Sequence, residues 1–428
     1  MIRKLSNSKI MIFILIACAL LIPATINIPE QPSTYSLVLG VGIDKSENEY
    51  EVSTQILTSK TNQGFLESLQ VHSATAGNIL LAVEKLALHL GKISGFGSTS
   101  VIVFSEEVAK EGIAETLDFF LRSKRLNGNP FLIVTNKSAK SVLSDVAKID
   151  ESFNYSLNSL AKLNSEASVG TIMTLVDFMN NYYSGTTASV ISQINETTQE
   201  NQGILIPSQN DAGGSGGANG GTVQTMATQT VLTSASASAS ANDSQKKIVS
   251  NDGYSSLFVG AKQIATLTPK DCEGMNTLLN LKRNVFTVKN VSDEVYHNAT
   301  VVLSIKDVKK TRVLKFSSQG VPRVYYTIKY ALKVEQIREK NNDEIVLSGI
   351  SNYLTPTLSR MLTNQIKQTA SDAINLFKKY NADVYGLQQA FYRHHPKQWQ
   401  KYLHSLQNGQ NAFKGIEFFV DLQLLGNV

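Results

Sequence analysis

The sequence predicts a mixed α/β and α+β protein, an N-terminal anchor followed by two or three domains in which mixed and antiparallel β-sheets pack with helices. Three observations lead there. A charge-free apolar run opens the chain. Strand and helix patterns then alternate to about residue 150, and long stretches of alternating apolar and polar residues fill the last third. At 428 residues the chain is too long for one ordinary core. Apolar residues make up 42% and charged residues 18%, as in folded proteins at large.

The first element decides the compartment. Arg3, Lys4 and Lys9 precede a run from Ile10 to Ile28 that carries no charge, close to the ~20 residues a helix needs to cross a bilayer. Basic residues on its N-terminal side keep that flank in the cytoplasm and export the rest. Two fates fit. "LIAC" (Leu15 to Cys18) matches the apolar-small-Cys pattern of bacterial lipid attachment, which makes Cys18 the candidate lipidation residue. Alternatively the run stays as an uncleaved anchor, because apolar character continues past Cys18 through Leu20, Leu21 and Ile22. Residues 1–34 are thus read as a targeting or anchor segment with its linker.

Residues 35–198 read as an α/β domain. "GVGIDKSENEYEV" (Gly40 to Val52) poses the first choice, phosphate loop or hairpin. A dinucleotide fingerprint needs a third glycine where Lys45 stands, and the Gly-Lys-Ser/Thr of a Walker loop is absent. The chain continues instead with "YEVSTQIL", which puts Tyr50, Val52, Thr54 and Ile56 on one face, so the stretch is a strand, a polar turn and an antiparallel strand. "GNILLAVEKLALHLGK" places Ile79, Val83, Leu86 and Leu90 on one helical stripe, with Leu80 and Ala87 beside it. Val101 to Phe104 form a buried strand, after which Ser105 caps a helix opened by Glu106 and Glu107. A further amphipathic helix (from Gly112), a buried strand (Pro130 to Asn136) and another helix (from Ser138) complete the domain's pattern.

Residues 199–247 change in composition. Gly, Ser, Ala and Thr dominate, and too few large apolar groups remain to offset the entropy of ordering, so this is a flexible insert.

Residues 248–428 read as an α+β region, with room for two subdomains. A strand at Leu257 to Val259, a turn at Gly260 and the strand "QIATL" lead to a helix with Thr268 as N-cap, Pro269 at its first position and Asp271 at its third. Val324, Tyr326, Ile328, Tyr330 and Leu332 share one face of a long strand, which argues for an antiparallel sheet. The longest helix carries Leu358, Met361, Leu362, Ile366, Ala373 and Phe377 in its apolar stripe, and "KGIEFFVDLQLLGNV" supplies a last strand.

Signs of chemistry are sparse. The net charge of +5 is spread along the chain, which fits a solvated surface and not a nucleic-acid footprint. The two cysteines, Cys18 and Cys272, can form neither an intradomain disulfide nor a cysteine metal cluster. His394, His395 and His404 are the one histidine cluster, without His-Glu-x-x-His spacing or converging carboxylates, and read as surface or packing residues. Gly-x-Ser-x-Gly is absent. "HHPKQWQKY" reads as an amphipathic helix with Trp399 packed inward. No catalytic, cofactor-binding or metal residue is assigned, and no cofactor is expected.

Four segments, in order, resemble the Ger(x)C family, the C-subunit lipoproteins of bacterial spore germinant receptors. "LVLGVGID" is similar to the family's first strand. "SVIVFSEEVAKEGIAETLDFFLRSKR" resembles its strand followed by E-x-x-G-h-x-x-h-L-D-F-h-x-R. "LFVGAKQIATLTPKDCEGMNTLL" is similar to the start of its C-terminal region. "NADVYGLQQAFYRHHPKQWQKY" resembles a segment in which Ala382, Asp383, Gly386, Arg393, Pro396 and Trp399 fall in step. The family's lipidation site lies nearer the first strand than Cys18 does. The resemblance implies a non-enzymatic subunit on the outer face of the spore inner membrane, beside two polytopic (A- and B-type) subunits that sense nutrients. It implies contact with membrane lipid, none with nucleic acid, and names no germinant-binding residue. An anchored solute- or envelope-binding protein is the alternative, and an envelope hydrolase a third reading. The first would show a pocket between two lobes, the second converging titratable groups.

Overall fold

The computed structural model describes residues 35–426 except 61–65, 123–125, 127, 150–170, 198–247, 251–252, 280–284, 340–353 and 407–410. The apolar run with Cys18 and the Gly/Ser-rich insert lie outside the described residues. No helix among the described residues is long and apolar enough to cross a membrane.

The chain begins as a meander. β1 (Tyr35–Ser46), β2 (Glu49–Lys60) and β3 (Leu66–Ala76) pair antiparallel, with Ser46 opposite Glu49 across a tight turn in which Glu47 takes positive φ. The expected hairpin is therefore present, and Val52, Thr54 and Ile56 are buried on its inner face. α1 (Ile79–Leu90) returns along the sheet to β4 (Ile93–Gly95), which pairs with the start of β1. β5 (Val101–Ser105), β6 (Phe131–Thr135) and β7 (Ser189–Thr197) extend from β1 as parallel neighbours. Between them lie α2 (Glu106–Glu111), α3 (Ala114–Arg122), α4 (Ala139–Ile149) and α5 (Leu175–Ser184). Ser105 does cap α2, its Oγ accepting from the Val108 N–H at 3.4 Å.

The sheet is covered on both faces. Ala82, Val83 and Leu117 from α1 and α3, with Phe178 from α5, fill one side against Val41, Ile43 and Phe104. α4 covers the other side, where Ala139, Val142 and Leu143 meet Val101, Val103 and Ile133. The stripe expected on α1 needs one correction. Ala82 is buried on the core side, while Leu80 is 46% exposed, because Ala82 lies one turn from both Ile79 and Leu86 whereas Leu80 points off the stripe.

A second sheet lies beyond the insert. β11 (Val285–Val291), β12 (Ala299–Phe316) and β13 (Pro322–Glu339) pair antiparallel, and β14 (Glu417–Gly426) completes the order β11-β12-β13-β14. The inner face of β13 is as expected: Val324, Tyr326, Ile328, Tyr330 and Leu332 are all buried. β14, however, pairs parallel to β13, so the region is not wholly antiparallel. The cause is the connection: three helices, α7 (Pro356–Lys379), α8 (Leu387–His394) and α9 (Pro396–Ser405), intervene and carry the chain back to the starting edge.

The strand pair after the insert, read from the sequence as the start of the 248–428 region, extends the first sheet. β9 (Ser255–Val259) pairs with β7, and β10 (Lys262–Leu267) with β9, at the edge of the first sheet; β8 (Ile248–Ser250) pairs with β7 too. α6 (Pro269–Leu279) then crosses to the second sheet. Its start is a capping box: Asp271 N–H donates to Thr268 Oγ1 at 3.3 Å and Thr268 N–H to Asp271 Oδ2 at 2.9 Å. α6 meets α7 at Gly274, where a Cβ would lie 2.3 Å from the Thr369 carbonyl oxygen. Ala188, just before β7, and Val190, Leu257 and Leu267 of the first sheet belong to the second unit's core, so apolar packing continues across the junction.

Candidate functional site

The residues with chemical potential in the motif segments are two buried aspartates, and both cap helices. Asp44 ends "LVLGVGID". Its carboxylate accepts from Ala139 N–H (2.7 Å), Lys140 N–H (2.9 Å) and Ser138 Oγ (3.0 Å), the first turn of α4. The glycines before it make room for the same helix. A Cβ on Gly42 would lie 3.0 Å from Leu143 Cδ1, and one on Gly40 3.1 Å from Leu143 Cδ2. Burial raises the Asp44 pKa against the pull of the backbone donors. The question posed by the glycines thus has a packing answer: they floor a helix, and the aspartate fastens its end.

Asp383 repeats the device in the second unit. It is 1% exposed, and its carboxylate accepts from Leu387 N–H (3.0 Å) and Gln388 N–H (2.7 Å) at the start of α8. Gly386 takes φ 63°, the left-handed conformation the turn requires. Burial outweighs these hydrogen bonds and pushes the carboxyl up to about 6. The same loop holds the units together. Ala188 N–H donates to the Asp383 carbonyl at 3.0 Å, and Gln388 Nε2 donates to the Thr186 carbonyl at 3.0 Å.

The other motif residues pack. Asp118 pairs with Arg122 at 2.5 Å and accepts from the Tyr183 hydroxyl at 3.3 Å. Trp399 is 3% exposed and stacks on Phe391, their centroids 5.5 Å apart, as expected for an inward-facing ring. Ala382 is buried, Pro396 opens α9, and Arg393 is exposed. Glu106, at the start of α2, pairs with Lys110 and accepts from Gln263 Nε2 at 3.3 Å.

The histidine cluster does not converge. His395 Nε2 donates to the Leu314 carbonyl at 3.2 Å beside Phe316, His404 Nδ1 donates to the Gln400 carbonyl at 2.7 Å, and His394 is exposed. Among the described residues, no group of three or more His, Cys, Asp or Glu side chains is placed to hold a metal ion. Cys272 is buried, its thiol pushed up to about 11 by burial, and it forms no disulfide. Cys18 lies outside the described residues. Sequence reading missed both capping roles. The Asp44 cap joins residues 95 apart and leaves no local signal. The Asp383 cap had one, an aspartate followed by glycine and an apolar run.

Comparison with known proteins matches both halves. A family model described as "Spore germination protein N-terminal domain" matches residues 31–196, and "Spore germination B3/ GerAC like, C-terminal" matches residues 254–424. Spore germination protein KC of Bacillus subtilis (strain 168) is 21% identical over 387 residues, covering 86% of this chain and 83% of that protein. The crystal structure of the GerBC protein aligns with a TM-score of 0.46 at 12% identity, covering 90% of this chain and 96% of that one.

Proposed function

The chain belongs to the Ger(x)C family of spore germination proteins, and we propose that it works as the C subunit of a nutrient germinant receptor by docking and not by catalysis. The observation that carries this is the pair of family matches, N-terminal then C-terminal, over residues 31–196 and 254–424. The internal use of Asp44 and Asp383 supports the non-catalytic part of the reading. Both are committed to backbone donors inside the fold.

In this reading the apolar run from Ile10 to Ile28 holds the folded body at the outer face of a membrane, either directly or through lipid on Cys18. The partners are A- and B-type polytopic subunits, which sense the nutrient while this subunit binds them through its surface. The test is purification of the tagged full-length chain from detergent-solubilised spore membranes. Two polytopic proteins should copurify. Recovery of the chain alone, or from the soluble fraction with its leader intact, would contradict the proposal.

A further inference from the structure

The two ends of the first sheet differ. At the end where β1 begins, Tyr35 pairs with Ile93, and Leu37 with Gly95. Leu37 is 42% and Ile93 36% exposed. α1 runs from the far end back to this one, so Leu88 in its last turn lies here, 81% exposed. α3 ends here as well: Phe120 packs on Phe96, just past β4, and its neighbour Leu121 is 39% exposed. Tyr183, 66% exposed, joins them through its bond to Asp118. Among the described residues, the cations beside these side chains are Lys92 and the paired Arg122.

The other end of β1, about 36 Å away by strand length, exposes Leu80 and Leu81 in the first turn of α1 but is dominated by charge. Its turn exposes Glu47 and Glu49, and Lys45–Glu111 and Lys140–Glu51 are ion pairs beside it. Position along the chain says what covers the apolar end. Residues 29–34 alone separate Ile28, the last residue of the charge-free run, from Tyr35. Such a connector spans at most about 25 Å. The apolar end is therefore the one presented to whatever holds the run.

We propose that this end is a membrane-seating face. Leu37, Leu88, Ile93 and Leu121 lie at the boundary between headgroups and acyl chains of a lipid bilayer, Tyr183 sits at headgroup level, and Lys92 meets lipid phosphates. The charged end then points away, toward water and protein. This rests on the reading that residues 10–28 are held in a membrane.

The test uses the full-length chain in vesicles of phosphatidylcholine and phosphatidylglycerol that contain a lipid-borne quencher. An environment-sensitive fluorophore is placed on Leu88→Cys or, in a second variant, Glu47→Cys, and the parent chain supplies the background from Cys18 and Cys272. Flotation with the vesicles reads the anchor, and quenching reads the face. The label at position 88 should shift to the blue and lose about half its emission or more, as expected for insertion about 5–10 Å deep, while the label at 47 keeps its aqueous spectrum. Chain that floats with both labels equally unquenched would overturn the seating face and leave the anchor standing. Chain that does not float would overturn both.

Discussion

The two capping aspartates use one chemistry under different constraints. Asp44 fastens α4 within its own unit, in a site that Lys140 and Glu51 line with an ion pair. Asp383 fastens α8 while its carbonyl accepts a bond from the other unit, and its side chain is almost wholly removed from water. A cap that serves one helix tolerates partial solvation. A cap that also closes a junction is buried, and its ionisation becomes costly. The glycines differ in the same way. A Cβ on Gly42 would lie 3.0 Å from the Leu143 side chain and 3.2 Å from the Ala139 backbone, whereas one on Gly274 would lie 2.3 Å from the backbone of α7.

The largest effect that would sharpen this comparison is at the helix crossing. Gly274→Val should cost about 3 kcal/mol or more, because the Thr369 carbonyl cannot move aside without bending α7; Gly42→Ala should cost about 1 kcal/mol. Denaturant midpoints measure both, and equal losses would break the contrast. Next comes Asp383→Ala, expected to cost about 2–3 kcal/mol because buried N–H groups lose their acceptor. Asp44→Ala should cost about 1–2 kcal/mol, in the range of an ordinary cap.

A pH series separates the two caps further. The Asp383 carboxyl is pushed up to about 6 from 3.8. The folded state therefore holds the proton more tightly than the unfolded state. The stability this contributes is full below pH 3.8 and is lost as pH rises to about 6. Unfolding midpoints of Asp383→Asn should lack that decline, and an unchanged pH profile would place the titration elsewhere. The smallest effect is expected at the surface: Leu88→Ser should change stability by less than about 0.5 kcal/mol, since Leu88 is 81% exposed.

The features legible in the sequence are local. Alternation in β13 from Val324 to Leu332, the Thr268–Asp271 capping box and the hairpin after Gly40 each depend on neighbours a few residues apart, and each is present. The hidden features depend on distant partners. β14 carries nothing in its own residues to distinguish parallel from antiparallel pairing, and β9 looks like any short buried strand until β7 is found beside it. Leu80 lies one helical position from burial, which apolar character alone does not resolve. The Asp44 cap requires the position of α4 over the sheet. The histidines are readable as surface or packing groups because no carboxylates are spaced to join them.

The central claim is that this body acts in germination by holding its neighbours and not by turning over a substrate. Nutrient-triggered germination of spores lacking the gene measures it most directly, with complementation by the intact chain and by Asp383→Ala. The account predicts loss of the response on deletion, full rescue by the intact chain and weakened rescue by the variant whose junction is loosened. Spores that germinate normally to every nutrient without the gene would contradict it.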